Sequence, residues 1–564
     1  MISVSGRDWQ KVDVNTKIAK KIQQEFNLSQ TLSELIASRN FSENEIYLIE
    51  NNLELSNIFK KNQDFIKSSE LLEIAIKNKE KICILGDYDV DGSAATSLWI
   101  KFLKSINHPH FHYIPDREQD GYGASKKLFE KLIQDKPKLI IMVDCGSTSL
   151  EAINYLNENN IKSLVIDHHE IPKPFPKANV IINPKKDNGY IEYDYLCATT
   201  LTYFFLDILI RKIKCKINLR KYLIYVLLAT VCDVMPMRKL NRLIAITALE
   251  EFDINENIAI KELYKLTNKQ NKINIDDLGF LIGPILNSGG RLGKSGYAVD
   301  LLSSEDHKVI TKKSLELLEL NNKRKKIEHN ILKNIDFDKI EKENKNIIIY
   351  YDPNINEGLI GIIAARLKDF FYRPAIVITN SGNILKGSAR SIYNFNIGHT
   401  IKNLFERNII LSGGGHNMAA GFTLKKSNLE NFKNFLLKES SKKIIFSNNI
   451  FTYDAQISSQ AFNKDFYEDI NKLEPFGTGN PNPIFLFKDL KVVKINILKN
   501  KHLSVILKSK IGFSIKSISF NSLNTKVGEY LLNYKKTFNV LGKINENIWN
   551  NKKGLQLTIQ DIII

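Results

Sequence analysis

The chain has 564 residues, of which 43% are hydrophobic, an ordinary fraction for a globular protein. That length is too great for one hydrophobic core, so we expect three domains, with two or four as the alternatives. No apolar run reaches the roughly 18 residues that span a bilayer, no signal pattern opens the sequence, and the five cysteines form no CxxC pair. These features argue against a membrane-spanning or disulfide-rich secreted protein, and we expect a cytoplasmic one.

The formal net charge is +18 with histidine neutral, which indicates a polyanionic partner and favours nucleic acid. The chain is also crowded with Lys, Asn and Ile, as an AT-rich genome would produce. A solvated, lysine-rich surface is therefore the alternative interpretation of part of this charge.

Residues 1 to about 75 carry helical patterns. The segment Leu28–Ile36 shows helical apolar spacing after a Ser/Thr cluster. It contains no residues that point to chemistry, so we expect these helices to cover the domain that follows.

From residue 80 to about 185, short apolar runs alternate with helical patterns. The runs predicted to be strands are Ile82–Leu85, Leu139–Val143, Ser163–Ile166 and Val180–Ile182. Such alternation predicts an α/β fold with a parallel sheet between helices. Ligands of these sheets bind beyond the carboxyl ends of the strands, so residues that follow the strands are the candidate site.

Three carboxylates follow the first run at alternate positions: Asp87, Asp89 and Asp91. Acids this close repel one another unless cations lie between them. The spacing resembles an EF-hand calcium loop, but the twelfth position is Leu98 instead of the required Glu, which excludes that motif. A solvated acidic turn remains the alternative.

Similar arrangements recur downstream. Apolar runs lead into Asp144, into Asp167-His168-His169 and into Asp233, and we interpret all of them as acidic strand ends. Imidazole nitrogens combined with carboxylate oxygens suit a divalent cation such as Mn²⁺. A structural histidine is the usual alternative, but paired histidines beside several acidic strand ends favour a metal site.

Two segments are candidate phosphate contacts. The turn-rich stretch Pro115–Gly123 follows another apolar run and offers Arg117, with a plain surface loop as the alternative. The Gly/Pro-rich stretch from Gly283 to Asn287, with Arg291, predicts a loop that could meet a phosphate. A P-loop is excluded because Ser288 stands where its first glycine should be and no strand precedes it.

Residues 304–343 are charged and helical, which suits a helix bridging two domains. A second α/β unit follows, with predicted strands Asn346–Tyr350 and Ala375–Thr379. Its stretch Ser388–Arg390 predicts a turn in which Arg390 could grip a phosphate bidentately. The glycines of Gly413–His416 would let backbone N–H groups approach a phosphate, or they form a tight turn.

The last 115 or so residues are strand-like. Short runs predicted to be strands are Asp489–Leu498, Leu503–Leu507, Phe513–Phe520, Phe538–Ile544 and Leu555–Ile564. Five short strands suit a small barrel such as an OB-fold. Such barrels bind single-stranded nucleic acid through basic grooves and aromatic side chains, and basic residues are plentiful here.

Taken in order, Gly86–Gly92, Asp144-Cys145-Gly146, Asp167-His168-His169 and Asp233 resemble the successive motifs of the DHH phosphoesterases. Gly413–His416 resembles the signature of the domain associated with them. The length, the bridging helix, the segment Leu473–Pro481 and the barrel are similar to the bacterial single-strand-specific 5′→3′ exonucleases of that family. The resemblance covers roughly residues 25–564.

The resemblance implies two divalent cations, Mn²⁺ or Mg²⁺. Their ligands, which are also the catalytic residues, would be drawn from Asp87, Asp89, Asp91, Asp144, His168, His169 and Asp233. Asp167 would orient a histidine ligand. The strand's terminal phosphates would be held by Arg117, Asn287, Arg291, Ser388, Arg390 and His416. One departure is the stretch Leu196–Thr200, where the family carries a Gly-rich sequence.

The resemblance also implies an arrangement and a function. We expect an N-terminal helical cover (1–75), a DHH catalytic domain (76–303), a bridging helix (304–343), a DHH-associated domain (344–447) and an OB-like domain (448–564). The expected activity is hydrolysis of single-stranded DNA in recombination and repair. The expected protein is a monomer that works with single-strand-binding protein and a RecQ-type helicase. The alternatives are a catalytically silent DNA-binding scaffold and a short-oligonucleotide hydrolase.

Overall fold

The computed structural model describes residues 1–50, 53–116, 120, 123–186, 190–270, 272–343, 346–393, 395–443, 450–533, 536–549 and 552–564. They divide into two compact units. The barrel unit comprises Met1–Glu54, Pro236–Ile246 and Phe446–Ile564, and the two-sheet unit comprises Leu55–Met235 and Thr247–Ile445. Among the described helices, none has both the length and the apolar character needed to cross a bilayer.

The strands, in chain order, are β1 (Asp8–Lys11), β2 (Ile82–Gly86), β3 (His110–Tyr113), β4 (Leu139–Val143), β5 (Lys162–Ile166), β6 (Val180–Ile182), β7 (Ile348–Tyr351), β8 (Ala375–Ser381), β9 (Ile384–Arg390), β10 (Ser412–His416), β11 (Ala419–Lys425), β12 (Ile450–Tyr453), β13 (Ala455–Ile457), β14 (Phe485–Leu498), β15 (His502–Ser509), β16 (Ser514–Ser519), β17 (Phe538–Trp549) and β18 (Lys552–Ile563).

The helices are α1 (Thr16–Glu25), α2 (Gln30–Ser38), α3 (Glu43–Glu50), α4 (Gln63–Lys77), α5 (Val90–Ser105), α6 (Lys126–Leu132), α7 (Leu150–Glu158), α8 (Ala198–Lys212), α9 (Leu223–Cys232), α10 (Lys239–Glu251), α11 (Ile258–Leu266), α12 (Ile275–Asp277), α13 (Gly283–Arg291), α14 (Tyr297–Ser303), α15 (His307–Asn334), α16 (Phe337–Glu343), α17 (Ile360–Phe371), α18 (Ile397–Glu406), α19 (Leu429–Lys443), α20 (Lys464–Asn471) and α21 (Lys526–Asn533). A π-helical turn, Leu278–Ile282, leads into α13.

The first sheet of the two-sheet unit has the strand order β3-β2-β4-β5-β6, and every pair is parallel. Strands β2 and β4 are buried along their whole length, as continuous Ile, Leu and Val runs favour when helices cover both faces. The predicted parallel sheet is confirmed. Because all strands run the same way, the residues that follow them lie at one edge.

The apolar run before Asp233 is a helix, so the prediction of a strand there was wrong. Helix α9 is buried from Leu223 to Thr230, and Asp233 follows its last residue as the C-cap. A short run that is apolar on all sides shows no periodicity, so it does not distinguish a buried strand from a buried helix.

The second sheet has the strand order β10-β11-β9-β8-β7, in which only β7 and β8 are parallel. Exposure alternates along β9, so that Leu385, Gly387 and Ala389 are buried while Ser388 and Arg390 are partly exposed on the opposite face. The predicted turn at Ser388–Arg390 was therefore wrong. The glycines of Gly413–His416 likewise lie in an exposed edge strand, β10, and not in a tight turn.

The predicted loop from Gly283 to Arg291 is helix α13, so this prediction was also wrong. Pro284 lies in its first turn, where a missing N–H costs no hydrogen bond. The glycines near its end allow close contacts, since a Cβ on Gly290 would lie 2.6 Å from Cδ2 of Tyr88. The predicted bridging segment consists of α15 and α16, which are separated at Ile335 and Asp336.

The barrel unit is built on strands β14, β15, β16, β18 and β17, paired in that order, and β17 closes the barrel against β14. The predicted OB-like barrel is confirmed. Its core also includes Leu32, Leu35 and Ile36 of α2, and β1 pairs with β12 in parallel. Residues 1–54 therefore belong to the barrel unit, whereas α4 lies in the two-sheet unit and contacts β6 and α8. That residues 1–54 cover the first sheet stays a prediction.

Candidate metal centre

Seven acidic and imidazole side chains meet at the carboxyl edge of the first sheet. They come from the loops after β2, β4 and β5, from the first turn of α5 and from the end of α9. They form three overlapping groups, in each of which one ligand atom per residue lies within 4.8 Å of the others: Asp144, His168 and His169; Asp91, His168 and Asp233; Asp87, Asp89 and Asp144. All seven residues predicted as metal ligands are thus brought together.

His168 lies at the centre of this cluster. Its Nε2 is 3.3 Å from Oδ1 of Asp144, 3.4 Å from Oδ2 of Asp233 and 3.7 Å from Oδ2 of Asp91. Within the described residues, the buried atoms Asp144 Oδ1, His168 Nε2 and Asp233 Oδ2 make no hydrogen bond. Buried polar atoms without partners are costly. Their convergence fits a divalent cation held by oxygen and nitrogen ligands.

The pKa shifts of the carboxyl groups also favour a bound cation. Burial, together with the neighbouring carboxylates of Asp91, Asp89, Asp87 and Asp233, raises the pKa of Asp144 well above its usual range. Burial and the same Asp91 and Asp89 raise the pKa of Asp233. Burial and mutual repulsion therefore disfavour the ionised forms of these carboxyl groups. A divalent cation would relieve this repulsion, because it favours the ionised carboxylates.

Asp167 contacts the loop that carries the two histidines. Its Oδ1 accepts from the backbone N–H groups of His168 (2.8 Å) and His169 (3.2 Å), and its Oδ2 accepts from that of Ser147 (3.0 Å). The Nδ1 of His169 lies 2.8 Å from Asp167 Oδ1. Donation from Nδ1–H would leave Nε2 of His169 available to a metal, which is the orienting role predicted for Asp167.

The two histidines differ in proton affinity. Burial, with the neighbouring His169, lowers the pKa of His168 to about 4. Burial also opposes charge on His169, but the hydrogen bond to Asp167 outweighs it and raises the pKa of His169 to about 9. Although burial opposes its ionisation, the hydrogen bond to His169 lowers the pKa of Asp167 below its usual range.

Helix α8 also positions the cluster, and the sequence had not indicated this. The backbone N–H groups of Ala198 and Thr199 donate to Oδ2 and Oδ1 of Asp91, each at 2.8 Å. These donors belong to the first turn of α8, where N–H groups have no partner within the helix. The stretch Leu196–Thr200, which departs from the family's Gly-rich sequence, is thus the segment that holds Asp91.

The predicted phosphate contacts lie on other elements of the same unit. Arg390 donates from Nη1 to Ser388 Oγ (3.2 Å), and Arg291 donates from Nη1 to the carbonyl oxygen of Gly358 (3.1 Å). Asn287 lies one turn before Arg291 on α13, on the same face. Arg117 lies outside the described residues.

His416 is a phosphate candidate whose ring lies beside a histidine of the metal cluster. Its ring stacks over that of His169 with centroids 6.4 Å apart, and its side chain is half exposed. The edge strand β10 of the second sheet thus brings His416 close to His169, which follows strand β5 of the first sheet.

Comparisons with known proteins agree with this arrangement. Three family models match: the DHH family N-terminal domain over residues 81–230, the DHHA1 domain over residues 344–442 and the RecJ OB domain over residues 453–561. An Asp/His cluster at the end of a parallel sheet, together with the matches to the DHH and DHHA1 models, assigns these domains to the DHH class of proteins.

Within that class, relatives extend over most of the chain. The Single-stranded-DNA-specific exonuclease RecJ of Haemophilus influenzae is 30% identical over 524 residues, which cover 87% of this chain and 89% of that protein. The Bacillus subtilis protein of the same name is 28% identical over 507 residues, covering 88% of this chain and 63% of the relative. The crystal structure of Thermus thermophilus RecJ in complex with Mn²⁺ has a TM-score of 0.82 at 21% identity, covering 99% of this chain and 79% of that one, and shares its fold. The chain belongs to the RecJ family.

Proposed function

We propose that this protein is a single-stranded-DNA-specific 5′→3′ exonuclease that hydrolyses phosphodiester bonds and releases 5′-mononucleotides in DNA recombination and repair. The observation that carries the proposal is the convergence of Asp87, Asp89, Asp91, Asp144, His168, His169 and Asp233 at one edge of the sheet. The family relationship supplies the substrate, because the relatives in Haemophilus and Bacillus are named for single-stranded DNA.

The proposed cofactors are two divalent cations, Mn²⁺ or Mg²⁺, held by those seven residues. When bound, such ions polarise a phosphoryl oxygen and lower the pKa of a bound water. Asp167 would keep His169 oriented through its hydrogen bond, and Ala198 and Thr199 would keep the Asp91 carboxylate in place.

Directionality is proposed to come from capture of the terminal phosphate. Ser388 and Arg390 share one face of β9, Arg291 ends α13, and His416 lies beside His169. With Asn287 and Arg117, these residues would hold the phosphate at the 5′ end of the strand. Because the 5′-phosphate would be held at a fixed place, the phosphodiester bond one nucleotide away from it would be the one that reaches the metal centre.

We propose that the barrel binds the single-stranded DNA at nucleotides further from its 5′ end. Lys491, Lys494, Lys508 and Lys516 are exposed on β14, β15 and β16. The register pairs Lys491 with Lys508 and places Lys494 and Lys516 on either side of Ile506, so the four lysines share the outer face. Such a face can neutralise backbone phosphates without reading sequence.

The cellular setting is also part of the proposal: a cytoplasmic monomer working with single-strand-binding protein and a RecQ-type helicase. A catalytically silent scaffold is disfavoured because all seven candidate ligands are present and converge. A short-oligonucleotide hydrolase is disfavoured because the chain carries a complete OB barrel with a basic outer face.

The test is digestion of a long oligonucleotide labelled at its 5′ or its 3′ end, supplied as a single strand or as a blunt duplex, with and without Mn²⁺. The proposal predicts metal-dependent release of labelled mononucleotide from the 5′-labelled single strand first, with the duplex left intact. Cleavage in the interior of the strand, or first release of the 3′ label, would contradict it.

A further inference from the structure

Gly361 touches the candidate phosphate-binding residues although it has no side chain. It lies in the first turn of α17, which contacts β9. A Cβ placed on Gly361 would lie 2.9 Å from Nη2 of Arg390 and 3.1 Å from Oγ of Ser388. Ordinary van der Waals contacts of a Cβ begin near 3.4 Å, so any side chain here would displace the guanidinium.

The Arg390 side chain is bounded on its other side by its own strand. Its Nη1 donates to the carbonyl oxygen of Ala389 (2.8 Å) and to Ser388 Oγ (3.2 Å). The guanidinium therefore lies between the backbone of β9 and the bare backbone of Gly361. This confinement restricts an otherwise flexible side chain, whose free rotamers would have to be lost when a ligand binds.

The segment before α17 makes a parallel contact with the other arginine. Arg291 Nη1 donates to the carbonyl oxygen of Gly358, and a Cβ on Gly358 would collide with the backbone of Arg291. Gly358 and Gly361 are three residues apart. Two glycines near the start of one helix thus contact two of the three arginines that the sequence predicts to bind phosphate.

We propose that Gly361 is a positioning residue for recognition of the 5′-phosphate: its missing side chain lets α17 hold the Arg390 guanidinium beside Ser388 in the geometry that grips the phosphate. The inference rests on the proposed function, since it assumes that Arg390 meets the 5′ end of the substrate. The proposal therefore predicts that Gly361 affects how well the enzyme distinguishes a 5′-phosphate end from a 5′-hydroxyl end.

Gly361→Ala is the informative substitution because the atoms in its way are the ends of flexible side chains. The fold should accommodate it while the guanidinium moves. Gly387→Ala is the matched packing control: it lies on the same strand as Arg390, but its Cβ would meet the Phe422 ring on the buried face. Gly296→Ala is the neutral control, since nothing lies within 4 Å of its Cβ.

The measurement is kcat/KM on a single strand with a 5′-phosphate and on the same strand with a 5′-hydroxyl. Gly361→Ala should lose about tenfold or more on the phosphorylated strand, the scale of a disturbed charge-assisted hydrogen bond, and less than about twofold on the other. Gly387→Ala should affect both strands alike, and Gly296→Ala should affect neither. In an Arg390→Ala background, Gly361→Ala should have no further effect on the preference for phosphate.

Equal losses on the two strands, or a full additional loss in the Arg390→Ala background, would overturn the role of Gly361. Unfolding of Gly361→Ala, seen by circular dichroism, would overturn it as well, because the proposal requires that only side chains yield. If the unsubstituted enzyme itself shows no preference for a 5′-phosphate, the failure lies in the proposed terminal phosphate site and not in Gly361 alone.

Discussion

His168 is the single residue whose surroundings most favour a metal centre. Its Nε2 faces oxygens of Asp91, Asp144 and Asp233 at 3.3–3.7 Å. Because burial, with His169, lowers its pKa to about 4, the imidazole is neutral at physiological pH and its lone pair is available. A neutral imidazole among carboxylates suits metal ligation and contributes little as an ion-pair partner.

His168→Ala should therefore reduce nuclease activity by at least about a hundredfold, more than the loss typical of residues that only support a ligand. The protein should stay folded, because solvent that enters the space left by the imidazole reduces the repulsion between the carboxylates around it. Turnover with saturating Mn²⁺ and circular dichroism check this. His329→Ala, an exposed histidine on α15, is the control. Near-normal turnover of folded His168→Ala would remove His168 from the metal centre.

The convergence of the seven candidate ligands could be predicted from sequence, and the groups that position them could not. Asp87, His168 and the other five have side chains that suit metal binding, and they follow recognisable apolar runs. Ala198, Thr199 and Gly361 act through backbone groups or through a missing side chain, which leaves no chemical signal in a single sequence. Gly358 and Gly361 do stand three residues apart on either side of the start of an apolar helix, and that spacing could have marked them as a site of close approach.

At the scale of elements, the first turn of α8 fixes the orientation of Asp91. The N–H groups of Ala198 and Thr199 each donate to one carboxylate oxygen at 2.8 Å. Hydrogen bonds to a charged group contribute about 1.5–3 kcal/mol each. Helix α8 thereby holds in place one of the acids that reach His168.

Ala198→Pro should weaken metal binding without breaking the helix. Proline is tolerated at the first helical position, and Cys197 before it already has the extended backbone that proline requires (φ −81°, ψ 165°). Losing one donor should raise the Mn²⁺ concentration for half-maximal activity by about tenfold or more. Gln30→Pro, at the first position of α2, is the matched control. An unchanged Mn²⁺ requirement would show that α8 does not orient Asp91.

The barrel strands give a second element-scale prediction. Changing Lys494, Lys508 and Lys516 to Gln should weaken binding of single-stranded DNA. The slope of log affinity against log salt should fall in magnitude by about two, since each phosphate contact on a single strand contributes about 0.7. The same change at Lys17, Lys20 and Lys21 of α1 removes equal charge and is the control. Equal effects of the two triple variants would mean that only net charge matters.

The predictions of elements failed where local composition was ambiguous. The run Leu223–Cys232 is apolar on every side, so its helical period was hidden. Gly283–Arg291 is rich in breakers, yet Pro284 suits a first turn and Gly290 is needed for contact with Tyr88. Ser388–Arg390 is a strand because it pairs with β8, the preceding strand of a hairpin, and with β11, in which Gly421 lies opposite Ser388. The partner β11 is distant in sequence, so no local pattern indicated it.

At the scale of the whole molecule, the barrel unit is assembled from three separate stretches of chain. The stretch Pro236–Ile246 is fixed by arginines. Arg238 donates from Nε (2.6 Å) and Nη2 (2.9 Å) to Glu45, and Arg242 donates to the carbonyl oxygens of Lys472 and Glu474, both at 2.9 Å. These contacts join the three stretches, which no local pattern in the sequence could indicate.

Glu45 makes the stability of this unit depend on pH. Burial opposes its ionisation, but Arg238 and two backbone N–H groups outweigh it and lower its pKa from 4.5 to about 2. A carboxylate with a depressed pKa contributes stability that is full above about pH 4.5 and is lost as the pH falls towards 2. Glu45→Gln should therefore cost about 1.5–3 kcal/mol at pH 7 and little near pH 2.

Urea unfolding of the two proteins at several pH values measures this difference. Glu43→Gln, an exposed change on the same helix, should leave the pH dependence unaltered. A constant difference between Glu45→Gln and the unsubstituted protein from pH 7 to pH 2 would show that the Arg238 contact does not control the carboxylate.

The most direct test of the central claim, that the Asp/His cluster is a hydrolytic centre for divalent cations, is a crystal structure with Mn²⁺ and a 5′-phosphorylated oligonucleotide. Anomalous scattering would locate the metal. We predict two manganese positions among the seven side chains around His168, with the terminal phosphate of the strand at Ser388 and Arg390. Manganese bound elsewhere, or a strand end that lies away from Arg390 while the cluster holds no metal, would contradict the account.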